Sequence, residues 1–205
     1  MIIREETESD YREVENITRE AFYNVYCPGC SEHYILNQFR DDASFIKELS
    51  LLIQDEQTKE ILAHIMYCKT IVISLNGDKK EVIMFGPVSV LPKYQNNGLG
   101  SKLIQYSLEK AKELGYKAVV ITGDFNYYKR FAFTKASNYN LYFDKDNKKQ
   151  SFDFFMAKEL VIDYLKMEES YIVIPTKYEV NISDVEDFDS NFYKKEKLKL
   201  STQIF

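Results

Sequence analysis

Apolar and polar positions alternate along the chain with two distinct periods, and the switches between them mark the elements. After Gly98, apolar residues fall at Leu99, Leu103, Ile104, Leu108, Ala111 and Leu114. That spacing, near 3.6, predicts an amphipathic helix, with Gly115 as its stop. Near the start, Ile2 and Ile3 open a short strand, and Ser9 or Asp10 caps a helix whose apolar face uses Val14, Ile17, Ala21, Phe22 and Val25. A second helical stretch covers Ser31 to Arg40 through Tyr34, Ile35 and Phe39, with Ser44 to Leu49 as an extra turn. Leu49 to Asp55, Glu60 to Ser74 and Val82 to Leu91 read as strands. The last two form a hairpin across Leu75-Asn76-Gly77-Asp78, because Asn-Gly favours the tight turn that matches strand twist. Pro87 removes a ladder donor, so the third of these strands is expected to carry a bulge. Lys117 to Thr122 reads as a short buried strand, followed by a short helix at Tyr127 and late strands at Ser137 to Phe143 and Phe152 to Ala157. The predicted order is βααβββαβαββ, and one more strand is expected at Tyr171 to Ile174.

At 205 residues this pattern fills one core and leaves a remainder. Residues 1–160 are read as one domain and 161–205 as a C-terminal extension packed on it. Hydrophobic content of 45% with 29% charged residues suits a folded globular chain. A net charge of −5 argues against nucleic acid as a partner, and the lysine-rich stretches 145–149 and 194–199 are read as solvated surface. The longest apolar run, Val82 to Leu91, is too short to span a bilayer and is broken by Gly86 and Pro87, so no membrane partner is expected. Met1-Ile2-Ile3-Arg4-Glu5-Glu6 turns charged before an export signal forms, and three cysteines fit a reducing compartment; the expected location is cytoplasmic.

The candidate chemistry begins at Gln95-Asn96-Asn97-Gly98-Leu99-Gly100-Ser101, a glycine-bearing turn between a strand and a helix. Unpaired amides and the helix dipole make such a junction a phosphate site. A Walker loop needs Gly-Lys-Ser/Thr, but Gly100 is followed by Ser101 and then Lys102; a dinucleotide fingerprint needs a third glycine where Leu103 stands. The order Gln-x-x-Gly-x-Gly, after Val88-Ser89-Val90-Leu91-Pro92, resembles the coenzyme A pyrophosphate loop of the GNAT superfamily of N-acetyltransferases. A second segment, Gly123-Asp124-Phe125-Asn126-Tyr127-Tyr128-Lys129-Arg130-Phe131-Ala132-Phe133, resembles the GDPxYYxRFGF element of the YhbS-like GNAT branch. Phe125 stands where proline is usual and Ala132 where glycine is usual.

The resemblance, which covers most of residues 1 to 160, implies an α/β GNAT fold: a mixed central sheet flanked by helices, with the strand containing Pro87 parting from its neighbour to admit the pantetheine arm. It implies acetyl-CoA as co-substrate, bound by Val88, Ser89, Val90, Gln95, Asn96, Asn97, Gly98, Leu99, Gly100 and Ser101. Asn126 is added as a hydrogen-bonding partner of the cofactor arm, with capping of the short helix as its alternative role. Main-chain groups of Val88 to Leu91 suffice for the oxyanion and the pantetheine amides. Tyr128 takes the place of the tyrosine that protonates the departing thiolate, and a phenol with an ordinary pKa near 10 is protonated at neutral pH. No carboxylate lies within Ile83 to Leu91, so the base acts through water; Glu32 is the choice, with His33 beside it, while His64 reads as a core histidine.

Cys27-Pro28-Gly29-Cys30 followed by His33 stands outside this reading. A structural zinc site needs a fourth ligand, available only from Cys68, His64 or a carboxylate folded nearby, and the pair follows a helix where a redox pair prefers a strand-to-helix setting. A Pro-Gly turn flanked by free thiols is expected, with no metal. The function read from the chain is transfer of an acetyl group from acetyl-CoA to a primary amine of a small molecule or peptide, by direct attack in a ternary complex. The alternatives are a non-catalytic acyl-CoA-binding sensor or accessory module, and a metal-binding regulatory domain using Cys27, Cys30 and His33. The reading also allows a homodimer.

Overall fold

The computed structural model describes residues 1–143 and 150–203, so the lysine-rich stretch 145–149 lies outside the described residues. In chain order the elements are β1 (Ile2–Glu5), α1 (Tyr11–Phe22), α2 (Glu32–Arg40), β2 (Leu51–Gln54), β3 (Ile61–Ser74), β4 (Lys79–Val90), α3 (Leu99–Glu113), β5 (Ala118–Thr122), α4 (Phe125–Tyr128), β6 (Thr134–Lys135), β7 (Leu141–Tyr142), β8 (Phe155–Glu159), β9 (Ser170–Ile172) and α5 (Ile182–Asp189). The chain divides into two compact units, and strands β3 and β4 and helix α3 each pass from one into the other.

The first unit holds residues 1–66, 87–107 and 176–205. Here β1 pairs antiparallel with β2 from Ile2↔Gln54 to Glu5↔Leu51, and β2 with the start of β3 from Leu51↔Ile65 to Gln54↔Ile61. Helices α1 and α2 pack on each other, with Val14 and Ile17 of one and Leu36 and Phe39 of the other buried. Helix α1 ends at Phe22, so Val25, expected on its apolar face, is exposed. The cause is Asn24, at φ 62, which turns the chain out of the helix and accepts a 2.8 Å bond from Gly29 N through its side chain. Charge is buried here as well. Arg40 reaches Glu6 and Glu15 at 2.5 Å each, and Ser50 Oγ bridges Glu6 and the fully buried His64. His64 is thus a bonded core histidine.

The second unit holds residues 67–86 and 108–175. Its sheet is mixed: β4 runs parallel to β5 over Ile83↔Val119 and Met84↔Val120, while β5 is antiparallel to β8 and β8 to β6. The end of β3 takes β9 as an antiparallel partner, and β9 lies parallel to β7. The turn after Ser74 closes as expected, with Ser74 N bonded to Asp78 O and Gly77 at φ 94. Two late elements differ from the expectation. Asn140 at φ 55 ends a tight helical turn over Ala136–Tyr139, which replaces most of the strand expected at Ser137 to Phe143. The strand expected at Phe152 to Ala157 is β8, displaced toward the C-terminus. Strand β4 runs continuously through Pro87, accommodated by Gly86 at φ 143, a conformation open to glycine.

Candidate functional site

In the first unit, the segment after β4 forms a turn of helix over Pro92–Tyr94, and the chain then reverses at Asn96 (φ 62) and Gly98 (φ 79). Both are residue types that tolerate the left-handed region. The first helical bond of α3 runs from Lys102 N to Gly98 O at 2.9 Å. The amides of Leu99, Gly100 and Ser101 therefore have no intrahelical acceptor, and the helix dipole places partial positive charge beside them. Asn96, Asn97 and Gly98 are exposed, while the Leu99 side chain is buried in the core, which leaves its amide as its contribution. Gln95 is turned the other way: its side chain donates to Val90 O at 3.1 Å and ties the loop to the end of β4. In β4 the side chains of Val88 and Val90 are half-buried and that of Ser89 is fully buried, its hydroxyl 2.7 Å from that of Thr18 on α1. Of Ser89, only the main chain remains to meet a ligand.

Glu32 opens α2 and is also in the first unit. Burial pushes its carboxyl above the ordinary value, opposed by a 3.0 Å bond from Ser31 N. His33, its neighbour, has no exposed surface and is pressed between Phe188 and Phe192 of the C-terminal segment. Its Nδ1 lies 3.4 Å from Cys30 Sγ, and its Nε2 lies 3.0 Å from Asp189 Oδ1 but off the line of the ring N–H. Burial holds the imidazole down at about 4 and pushes the Cys30 thiol well above its usual range. Arg19, almost fully buried, binds Asp189 through Nε at 2.5 Å and Nη2 at 3.0 Å. No signal in the sequence ties residue 189 to residues 19 and 33. Cys27 and Pro28 lie in the loop closed by Asn24 and Gly29, Cys27 and Cys30 are thiols, and among the described residues no group of three or more His, Cys, Asp or Glu side chains is placed to hold a metal.

In the second unit, β5 leads into Gly123 and the short helix α4. The helix is capped by Asp124, whose carboxylate accepts from Asn126 N at 2.9 Å; capping is therefore the work of Asp124 and not of Asn126. The exposed Asn126 side chain accepts from Lys129 Nζ at 3.0 Å. The Tyr128 ring is half-buried in an aromatic cluster, 5.0 Å from Tyr127, 5.9 Å from Phe85 and 6.1 Å from Phe133 between centroids. A Cβ on Gly123 would lie 2.6 Å from Tyr128 Cε2, so the ring has its place only because position 123 is glycine. The loop after α4 closes at Ala132, whose φ of 62 is the conformation for which glycine is the usual residue. Val88 to Ser101 and Glu32 thus lie in the first unit, and Asn126 and Tyr128 in the second.

Residues 11–135 match the family model described as acetyltransferase (GNAT) family. The chain is 26% identical over 141 residues to the uncharacterized N-acetyltransferase YhbS of Escherichia coli, covering 69% of this chain and 78% of that protein. Solved structures are similar as well, two of them over most of their length. A GNAT family acetyltransferase from Brucella melitensis in complex with acetyl-CoA superposes with a TM-score of 0.67 at 26% identity, over 87% of this chain and 97% of the other. The crystal structure of Escherichia coli YhbS in complex with CoA superposes with a TM-score of 0.73 at 22% identity, over 87% and 92%, a likeness of fold.

Proposed function

The chain belongs to the acetyltransferase (GNAT) family, and on that premise we propose that it moves an acetyl group from acetyl-CoA to a primary amine of a small molecule or peptide by direct attack in a ternary complex. The observation that carries this reading is the α3 start, where positive φ at Asn96 and Gly98 presents three amides without helical acceptors. Those amides fit a pyrophosphate, and the Brucella relative solved with acetyl-CoA supports that ligand. Gln95 serves by fixing the loop to Val90, Asn96 to Ser101 supply the cradle, and the main chain of Val88 to Val90 meets the pantetheine arm and the thioester oxygen. Asn126 is kept as a contact to the arm.

Attack by the amine nitrogen on the thioester carbonyl forms the C–N bond, and collapse breaks the C–S bond. Glu32, acting through water, takes the amine proton; its carboxyl, raised by burial, suits a base better than a fully solvated one. Tyr128 gives its phenolic proton to the leaving thiolate. Residues 1–160 are taken as the catalytic domain and 161–205 as an extension held to it by the Arg19–Asp189 pair. Three cysteines, an odd number, fit a reducing, cytoplasmic setting better than a disulfide framework.

The test is a screen of thiol release from acetyl-CoA across polyamines, aminoglycosides, amino acids and peptide N-termini, coupled to two variants. Gly100→Asp places a Cβ and a negative charge beside the phosphates, and calorimetry showing undiminished acetyl-CoA affinity in that folded variant would refute the placement. Tyr128→Phe is expected to bind acetyl-CoA normally and to lose about 10²-fold or more in turnover. Full turnover in Tyr128→Phe removes the acid from the scheme. Tight acetyl-CoA binding without thiol release for any amine moves the assignment to a non-catalytic acyl-CoA sensor.

A further inference from the structure

Side chains in the last stretch of β4 alternate, with Pro87 and Ser89 buried and Val88 and Val90 half-buried. Ser89 therefore points toward α1, where its hydroxyl meets that of Thr18 at 2.7 Å, one hydroxyl donating to the other. Both side chains have no exposed surface. A valine and an alanine would fill nearly the same space without demanding a hydrogen bond. The net gain from a neutral pair is small, on the order of 1 kcal/mol, so stability is a weak reason for the pair. Direction is a better one. Pro87 has no amide to donate to a ladder, and Gly86 just before it takes a φ of 143 that is open to glycine. The segment Val88 to Val90 follows these two residues, and its far end is fixed by Leu91 N bonding to Leu62 O at 2.9 Å and by Gln95 holding Val90 O. The hydroxyl pair is a lateral tie in the middle of this span.

We infer that Thr18 and Ser89 are positioning residues for acetyl-CoA: their buried hydroxyl bond sets the main chain of Val88 and Val90 at the height and rotation that the pantetheine arm requires. Neither hydroxyl touches the ligand. Thr18 does so from a helix 71 positions away in the chain, which no local motif reveals. The inference rests on the acetyl-CoA reading above.

The probes are acetyl-CoA and adenosine 3′,5′-bisphosphate, which keeps the nucleotide phosphates and lacks the pantetheine arm. For wild type, Thr18→Val, Ser89→Ala, the double variant and Thr18→Ser, calorimetry gives affinity for both probes and thermal melting gives stability. Thr18→Val and Ser89→Ala should each weaken acetyl-CoA by about fivefold to tenfold and leave the bisphosphate unchanged. The double variant should be no weaker than either single one, because one bond is lost in all three. Thr18→Ser keeps the hydroxyl and should retain the wild-type ratio of affinities. A merely structural role would lower the melting temperature and leave that ratio alone, and an unchanged ratio in folded Ser89→Ala overturns the inference while the acetyl-CoA reading stands. Should Thr18→Val fail to fold, the comparison of Ser89→Ala with Thr18→Ser separates the same two roles. Failure of wild-type protein to bind acetyl-CoA overturns the reading itself, and the inference with it.

Discussion

Tyr128 owes its ring position to what residue 123 lacks. Gly123→Ala puts a methyl carbon where Cε2 now stands 2.6 Å away, while the backbone at 123 needs no positive φ, so the ring alone must move. A displaced acid costs rate more than binding: turnover should fall by up to about 10²-fold with acetyl-CoA affinity kept, read by comparing kcat with calorimetric Kd. Wild-type kcat in the folded variant would mean that the phenol is not the proton source or that its position is slack. Ala132 offers the opposite experiment. Held at φ 62, ψ 28, it bears the cost of a left-handed alanine, and Ala132→Gly should stabilise the protein by roughly 0.5–1 kcal/mol, a rise in Tm of about 1–4 °C. A lower Tm would show that alanine's methyl group packs well enough to outweigh its backbone strain. The sequence shows the oddity at 132 and the place of Tyr128 in its motif. It does not show the Gly123 contact, which depends on ring direction, nor the Thr18–Ser89 bond, whose hydroxyls look like ordinary polar positions on amphipathic elements.

Helix α3 and its loop act as one element, and the loop's demand on backbone conformation is testable. Gly98 sits at φ 79 with nothing within 4 Å of a would-be Cβ, so substitution there meets strain and no clash. Affinity for acetyl-CoA should rank Gly98 above Gly98→Asn above Gly98→Ala, because asparagine visits the left-handed region more readily than alanine. Equal affinities across the three would remove the left-handed turn from the binding argument. Long periodic elements were legible because a sustained repeat outweighs local noise: α2, α3 and the β3–β4 turn stand where periodicity and Asn76-Gly77 put them, and α1 does so up to Phe22, short of the expected Val25. Helix α5 was not. Its apolar positions Ile182, Val185 and Phe188 are diluted by Asp184, Glu186, Asp187 and Asp189, and Ile182 is mostly exposed, so the helix rests on Phe188 and Asp189 meeting partners from α1 and α2. The strand expected at Ser137 failed for a different reason, since Asn140 imposes a left-handed turn that no hydrophobic period encodes.

For the molecule as a whole, the buried charges of the first unit set the response to acid. Burial holds His33 at about 4, below its ordinary 6.5. Burial works against the Glu6 carboxylate, but His64 and Arg40 overcome it and bring it to about 2, and the Arg4 guanidinium brings Asp10 to about 2. All three folded values lie below the unfolded ones, so over their range the unfolded chain binds more protons through these groups and their contribution to stability rises with pH, while Glu32, raised by burial, works in the opposite direction. Melting temperature should decline as pH falls from about 6.5 toward 4 through His33, then more steeply from about 4.5 toward 2 through Glu6 and Asp10. A folded His33→Gln variant should lose the upper part of that slope; a wild-type Tm that increases on acidification over the same range would contradict the assignment. The Asp189 contact has a consequence in time as well. On the ribosome Arg19 emerges 170 residues before its carboxylate, which at roughly 5–20 residues per second is a wait of about 10–30 seconds. Through that interval α1 must either leave the Arg19 guanidinium wet or hold it against solvent without its counter-charge. The nascent chain therefore completes this part of its interior late, and the emergence of Asp189 marks the moment at which the first helices can settle.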